Sequence, residues 1–597
     1  MTSASPPPRG LTLEALAQAK KLPVDFLMSL GIQTDLWTGK ARVRIPYMDD
    51  HGTIQSIRYR LALDGDMRFA WRKDDHVLLY GLPRLRAAVA LGWVLIVEGE
   101  SDCWTAWHHG LPAVGIPGKS TWRPEWATFF TRPGLEVVLW CEPDAPGLVA
   151  EIARDIADLR VIIPPADLKD LSDAHVRGER VSDFVAALRK GAQLASAFLE
   201  GIAAEGRAAA GAQALEAGRA LLEDPDLLER VAEILKESGL AGDPKNAKVL
   251  YLDITSRLMR RPVNRLIEGP SGSGKNYLLD HVLRLFPDEA YYRLTAASER
   301  AFVFTAEDFQ HRIVVIDESA GLHQDGIGAT IMRNLAWGKG ISYEVVEKID
   351  GGMQTRRIDK LGPTGLITTT VRTIDAEMQT RLLTITIPDT PEFTKLVIEE
   401  IGRQMAAGPA KVDVGAFVAA QRWLGITGVR EVIVPYGPAL SALAYAGSVR
   451  MRCDFQQLAT TIETSALLHQ LQRERDEEGR ILASPADYRI AYDLAAESLR
   501  EAAGGLTLAQ TEAVSIVEAL CASKGPEEGV SRAKIAAALN LDPSAVTLRL
   551  RKPLHLGIIV NLETVKGKPA RYRPGSGIPE SVPVIPTPEE LFKDAYV

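Results

Sequence analysis

Two sets of residues in this chain have the types and spacing to do chemistry on phosphates. The first is "GPSGSGKN", Gly269 to Asn276, a G-x-x-x-x-G-K spacing set between an apolar run and a helical one. Glycines let backbone amides close around phosphate oxygens, and a helix starting at the lysine adds the positive end of its dipole. Gly269, Pro270, Ser271, Gly272, Ser273 and Gly274 are therefore expected to cradle ATP, with Lys275 neutralising its outer phosphates and Asn276 and Tyr277 opening the helix. Asn276 stands where a Ser or Thr hydroxyl usually meets Mg²⁺. It offers an amide oxygen instead, which a hard cation accepts. Further on, "HRIVVIDESAG" ends an apolar run in Asp317, placed to hold Mg²⁺, and Glu318, placed to orient an attacking water.

The run "GPTGLITTT" puts Thr369 at the end of another buried strand, where a hydroxyl can sense the γ-phosphate. Arg381 follows, either reaching a neighbouring subunit's nucleotide or held in a structural ion pair. Between these parts, "YEVVEKIDGGMQTRRIDKLG" reads as two strands joined by a "DGG" turn. Lys348, Arg356, Arg357 and Lys360 crowd that hairpin, either for a DNA backbone or as an ordinary solvated face.

The second set is acidic. "WVLIVEGESDCWTAWHHG" ends an apolar strand in Glu98 and begins a helix that holds Asp102, and "EVVLWCEPDAPG" ends a second strand in Glu142 and Asp144. Parallel strands side by side bring Glu98, Glu142 and Asp144 to one carboxyl edge, where open α/β sheets keep their sites. Three acids together repel one another unless a cation such as Mg²⁺ joins them. His108 and His109 follow with no neighbouring ligands in sequence and read as helix-end histidines.

These residues need frames to hold them. A chain of 597 residues is too long for one core, and 46% apolar with 24% charged residues is an ordinary globular composition. The fold class expected is multidomain α/β. An α+β module without a zinc site spans 1–91 and an α/β domain spans 92–200. A helical connector covers 201–245, a phosphate-loop ATPase core 246–390 and a helical region 391–505. A winged helix at 506–575 and a flexible tail at 576–597 complete the chain. Four scattered cysteines read as reduced thiols, and no apolar run is long enough to span a bilayer, so a cytoplasmic protein is expected. The net charge of −8 confines any DNA contact to local basic patches. One such patch is Arg58, Arg60, Arg68, Arg72 and Lys73 in the N-terminal module. Another is the C-terminal "GVSRAKIAAALNLDPSAVTLRLRKPLHLGIIVNLETVKGKPARYRPG", where Arg549, Arg551 and Lys552 sit on a second helix and Lys568 and Arg571 on a hairpin. Such modules meet DNA or dock proteins.

The Glu98 and Glu142-x-Asp144 elements resemble the Toprim fold of bacterial primases, topoisomerases and related nucleases, with Glu142 replacing the first Asp of D-x-D. "KDLSDAH", Lys169 to His175, is similar to the K-D-x-x-D element of the primase branch. The first set, roughly 249–390, resembles the ring ATPases of the AAA+ and superfamily 3 helicase kind. Together these resemblances imply a primase-helicase-like replication protein of a phage or integrated mobile element. ATP and Mg²⁺ would be its cofactors, single-stranded or forked DNA its partner, and a homo-hexamer its assembly. Glu98 would act in the Toprim chemistry, and primer synthesis is implied as a further activity. A Toprim nuclease regulated by the ATPase, or a nucleotide-switched DNA-binding factor without turnover, stand as alternatives.

Overall fold

A computed structural model describes residues 9–65, 67–242, 244–294, 304–305, 307–317, 334–335, 340–349, 352–370, 381–408, 410–426, 428–446, 450–502, 506, 508–522, 529–555, 557–563, 568–575 and 584–593. It divides into two units, residues 1–206 and 207–597.

In the first unit, β1 (Arg9–Gly10), β2 (Gln33–Trp37), β3 (Lys40–Met48), β4 (Ile54–Arg60) and β5 (Phe69–Trp71) form one sheet, ordered β1-β3-β4-β5 with β2 beside β3. Strand β3 buries Ala41, Val43, Ile45 and Tyr47 and turns Arg42 and Arg44 away, the period-two alternation of a sheet with one covered face. Gly52, at φ 86, lies in the turn before β4. Helices α1 (Leu13–Lys20) and α2 (Val24–Ser29) bury Leu13, Leu16, Ala17 and Leu27 in one cluster with Val43, Ile45 and Tyr47 of β3.

The second sheet holds β6 (Trp93–Glu98), β7 (Ala113–Ile116), β8 (Glu136–Trp140), β9 (Arg160–Ile162) and β10 (Gln193–Leu194), ordered β10-β9-β8-β6-β7 and parallel except for β10. Its strands are buried on both faces, which is why they read as continuous apolar runs. Helices α3 (Leu85–Leu91), α4 (Glu100–His108), α5 (Pro146–Ala153), α6 (Leu171–Arg177) and α7 (Val181–Lys190) connect them. Leu16, Leu27, Val43 and Ile45 share one apolar cluster with Leu95, Val97, Trp104 and Leu171. The expected boundary at 91/92 therefore separates no independent cores. Helix α8 (Ala195–Leu222) runs through the point where the chain divides.

The second unit is built on a parallel sheet of β11 (Arg265–Glu268), β12 (Tyr291–Leu294), β13 (Arg312–Ile316), β16 (Thr364–Thr370) and β17 (Leu383–Thr386), ordered β12-β13-β16-β11-β17. Strands β14 (Ile341–Ile349) and β15 (Gly352–Lys360) form a separate hairpin in unbroken register from Ile341↔Lys360 to Ile349↔Gly352. Helices α9 (Leu227–Glu237), α10 (Pro244–Thr255) and α11 (Lys275–Leu283) flank the sheet.

Leu227, Val231 and Leu235 of α9 are buried with Ile267, Ile313 and Ile367 of the sheet, and with Leu458, Ile462 and Leu499 from the later helices. Residues of the expected connector and helical region thus share one apolar core with the sheet of the second unit. Arg265 and Asp253 pair inside that core at 2.6 and 3.0 Å.

The C-terminal module has a core of its own, with helices Leu508–Ala522, Arg532–Leu539 and Pro543–His555 and a three-stranded sheet. The expected flexible tail is corrected over 584–593. Val584, Ile585 and Phe592 are buried, Tyr488 donates to the Pro586 carbonyl at 2.6 Å, and Thr587 with Glu590 forms a capping box.

Candidate functional site

The parallel pairing of β6 with β8 sets Ile96 opposite Leu139, so both strands end at one edge. Glu98 closes β6, and Glu142 lies two residues past the end of β8. Asp102 stands in the first turn of α4, where its Oδ1 accepts from the Ser172 amide at 2.8 Å. Asp170 caps α6 and accepts from the Asp173 amide at 2.7 Å. Carboxylate oxygens of Asp102, Glu142 and Asp170 lie within 4.8 Å of one another.

Packing acids this closely in a dry edge disfavours their charged forms. Burial, then Glu98 and Asp170, push Glu142 up to about 8. Burial, then Asp170 and Glu142, hold Asp102 well above the carboxylate range. Glu98 is raised, chiefly by burial and with Lys119 opposing, and its buried Oε2 receives no hydrogen bond among the described residues. A divalent hard cation answers both features: it takes clustered carboxylate oxygens and relieves their repulsion.

The structure places Asp144 differently. Its side chain is 73% exposed and ion-paired with Lys119, which holds its carboxyl low. Asp102 and Asp170 take the places beside Glu142 that spacing within one strand end had suggested for Asp144. The K-D-x-x-D element carried the signal for Asp170, but only folding shows which acids converge.

Glu100, next to this edge, accepts from Tyr47 Oη at 2.6 Å and from Arg58 at 2.9 Å. Arg58 also reaches the Pro117 carbonyl at 2.9 Å, and Arg60 bonds the carbonyls of Ala62 and Leu63. Both are largely buried anchors rather than a phosphate cradle, because each guanidinium is spent on the fold. Arg68 and Lys73 are exposed, and Arg72 pairs with Asp75.

In the second unit β11 leads into the glycine loop. Gly272 at φ 80 and Gly274 at φ 87 adopt the left-handed conformation the turn needs, and Lys275 opens α11. Lys275 Nζ donates to the carbonyls of Gly269 at 2.9 Å and Pro270 at 2.8 Å. Ser273 Oγ is buried with no hydrogen-bond partner among the described residues, a polar atom that a phosphate oxygen would satisfy. Ser271 and Asn276 are exposed at the loop surface.

A cavity of about 500 Å³ adjoins the loop, lined among others by Leu240, Pro270, Tyr277, Ile387, Phe393 and Leu548. It offers an apolar seat for a planar base. Tyr277 Oη donates to the Gly239 carbonyl at 3.1 Å, fixing one wall. No sequence motif marks residues 239–242, Phe393 and Leu548 as meeting here.

Strand β16 sits between β11 and β13, with Thr369 opposite Ile267 and Thr368 opposite Ile316. Thr369 is buried at that edge. Asp317 follows β13 and is clasped by Arg293, at 2.9 and 3.2 Å, which also pairs with Asp280 on α11. Arg293 was not foreseen. Its charge couples the loop helix to the acidic strand end. Glu318 lies outside the described residues, as does the Lys348 side chain. Arg381 precedes β17, its carbonyl accepting from Gln457 at 3.5 Å.

Of the residues expected to touch DNA, Arg356 and Arg357 are exposed on β15, and Arg357 pairs with Asp359 at 3.0 Å. Lys360 instead bonds the carbonyls of Thr305 at 2.6 Å and Glu307 at 2.8 Å, tying down the base of the hairpin. Arg549 is 8% exposed and paired with Asp389 at 2.8 Å and Glu512 at 2.9 Å, so its charge is spent tying the C-terminal module to the segment after β17. Arg551, Lys568 and Arg571 are exposed, and Lys552 is half-buried.

No family model matches the chain. The Gene 57 protein of Mycobacterium phage D29 is 31% identical over 131 residues, covering 20% of this chain and 82% of that protein. Solved structures with some likeness include the DnaG primase catalytic domain bound to ssDNA, at 18% identity and TM-score 0.27 over 37% of this chain and 80% of that one. The E. coli primase catalytic core stands at 15% and 0.27, over 37% and 81%. The primase fragment of the bacteriophage T7 primase-helicase protein stands at 18% and 0.23, over 31% and 82%. TM-scores this low assign no fold, and identity to the phage protein is what places the sequence. Through that segment, the chain belongs to the family of the Gene 57 protein of Mycobacterium phage D29.

Proposed function

We propose that this protein is an ATP-driven DNA helicase or translocase joined to a primase-derived Toprim domain, serving replication of a phage or integrated element. The observation that carries the motor is the strand order of the second unit. Placing β16 between β11 and β13 gathers the glycine loop, Thr369 and Asp317 at one sheet edge, as phosphate binding, sensing and metal binding require. Lys275 would hold the outer phosphates, and the apolar cavity beside Tyr277 and Phe393 would take the base. In the second unit, the exposed Arg356, Arg357, Arg551, Lys568 and Arg571 are available to meet DNA.

In the first unit, Asp102, Glu142 and Asp170 would hold Mg²⁺, with Glu98 beside them. The cation would supply charge stabilisation for chemistry at a phosphodiester. The chain's own contribution is to fix these carboxylates on two strand ends and two helices, and to exclude water from around them.

The test is ATP hydrolysis by the purified chain with and without single-stranded DNA, beside Lys275→Ala. DNA-stimulated turnover lost in that variant supports the motor, and nucleotide binding without turnover overturns it. A second reading, a nucleotide-switched DNA-binding factor, is favoured by one contact: Arg293 neutralises the acid expected to hold the metal. It predicts binding without turnover in the wild-type chain, with turnover appearing in Arg293→Gln.

A further inference from the structure

The helix Pro543–His555, read from sequence as one that meets DNA, has a different neighbour in the fold. Its Val546 and Leu550 are buried in the core of the C-terminal module. A step of two residues turns about 200° around a helix, so Ser544 and Leu548 stand on the side opposite that core. Ser544, Ala545 and Leu548 line the cavity beside the glycine loop, together with Tyr277, Ile387 and Phe393. Leu548 is 48% exposed, an apolar side chain at the cavity wall with much of its surface still uncovered.

Two further observations set this face of the helix at the cavity. Arg549 pairs with Asp389 at 2.8 Å, and Asp389 is itself part of the lining. Arg551 follows Leu548 by one turn, and its charge is felt at Glu268, the residue before the glycine loop. Burial raises the Glu268 carboxyl and Arg551 opposes that rise. One wall of the apolar seat is therefore supplied from a segment more than 250 residues beyond the loop. A planar base gains by leaving water on both of its faces, so a leucine wall adds affinity in proportion to the area it covers.

We propose that the helix Pro543–His555 is a nucleotide-binding element, in which Ala545 and Leu548 pack on the base of a nucleotide whose phosphates lie in the glycine loop. This rests on the reading of that loop as a nucleotide site. The consequence is that nucleotide occupancy is felt in the C-terminal module, on the helix that also carries Arg551. Phosphates without a base would fill the loop and leave this helix untouched.

The experiment uses the full chain with two probes, ADP and inorganic pyrophosphate, each with Mg²⁺; both bring a diphosphate and only ADP brings a base. In hydrogen exchange, ADP should slow residues 541–550 as well as 269–278, and pyrophosphate should slow 269–278 alone. By calorimetry, Leu548→Asp should weaken ADP about 10-fold or more and change pyrophosphate affinity by less than about twofold. Leu548→Met keeps an apolar wall and should bind ADP nearly as the native chain does. Lys275→Ala should weaken both probes. ADP protection confined to the loop, or an ADP affinity that Leu548→Asp leaves unchanged while Lys275→Ala lowers it, overturns the role of the helix and leaves the nucleotide site standing. Equal loss of both probes in Leu548→Asp also overturns it, because the loop itself is then disturbed. Failure of both probes to bind the native chain overturns the nucleotide reading and this inference with it.

Discussion

Mg²⁺ binding at the carboxylate edge should release protons, and the amount follows from Glu142. A carboxyl pushed up to about 8 is about 90% protonated at pH 7, and a hard cation binds only its ionised form. Each ion bound at pH 7 should therefore expel about 0.9 proton from this residue alone. The ionised fraction climbs from about 1% at pH 6 to about 50% at pH 8, so apparent affinity should rise about 50-fold over that interval and flatten above it. Asp102 and Glu98, also raised, can only steepen the rise.

Stability of the metal-free chain runs the other way. A folded-state value above the unfolded one makes Glu142 stabilising below the ordinary carboxylate range, and that contribution is lost as pH rises toward about 8. Calorimetric titration with Mg²⁺ in two buffers of different ionisation enthalpy counts the protons, and Glu142→Gln should remove most of them. Affinity independent of pH between 6 and 8, or release below about 0.2 proton, would refute the placement of Glu142 among the ligands.

Further expectations rest on individual contacts. Asp253→Asn leaves Arg265, 2% exposed, charged without its partner, and should cost about 3–5 kcal/mol in urea denaturation of the second unit. Gly115→Ala would put a methyl 2.8 Å from Cys103 Sγ and 2.9 Å from the Gly99 carbonyl. It should lower stability by about 1–3 kcal/mol and weaken Mg²⁺ binding by displacing the residue after Glu98. Arg549→Ala should lower the Tm without changing the salt dependence of DNA binding, whereas Arg571→Ala should reduce that salt slope by about one. A reduced slope with Arg549→Ala would show that its ion pairs open on DNA.

Local chemistry was legible where one segment supplies it. The glycine loop declares itself because its turn, its lysine and its helix start are contiguous, and β6, β8 and β13 declare themselves because strands buried on both faces must be apolar throughout. The β3–β4 hairpin follows from alternation about one turn. Charge was less legible. Arg58, Lys360 and Arg549 look like nucleic-acid ligands in one dimension, yet each meets carbonyls or carboxylates brought from distant segments, and a buried guanidinium or ammonium has to take such partners.

By itself, the sequence determined which strands end in acids, where a glycine-rich loop would turn, and which two segments have the residue types and spacing for phosphate chemistry. Only the tertiary structure decided that Asp102 and Asp170 converge on Glu142 while Asp144 pairs with Lys119, that Arg293 clasps Asp317, and that His175 joins His108 and His109. The physical reason is common to all three. Spacing along a strand or helix fixes which residues share an edge or a face, but which acids, bases and rings meet depends on how separate helices and strands pack. That packing is set by apolar stripes many residues away from the groups it brings together.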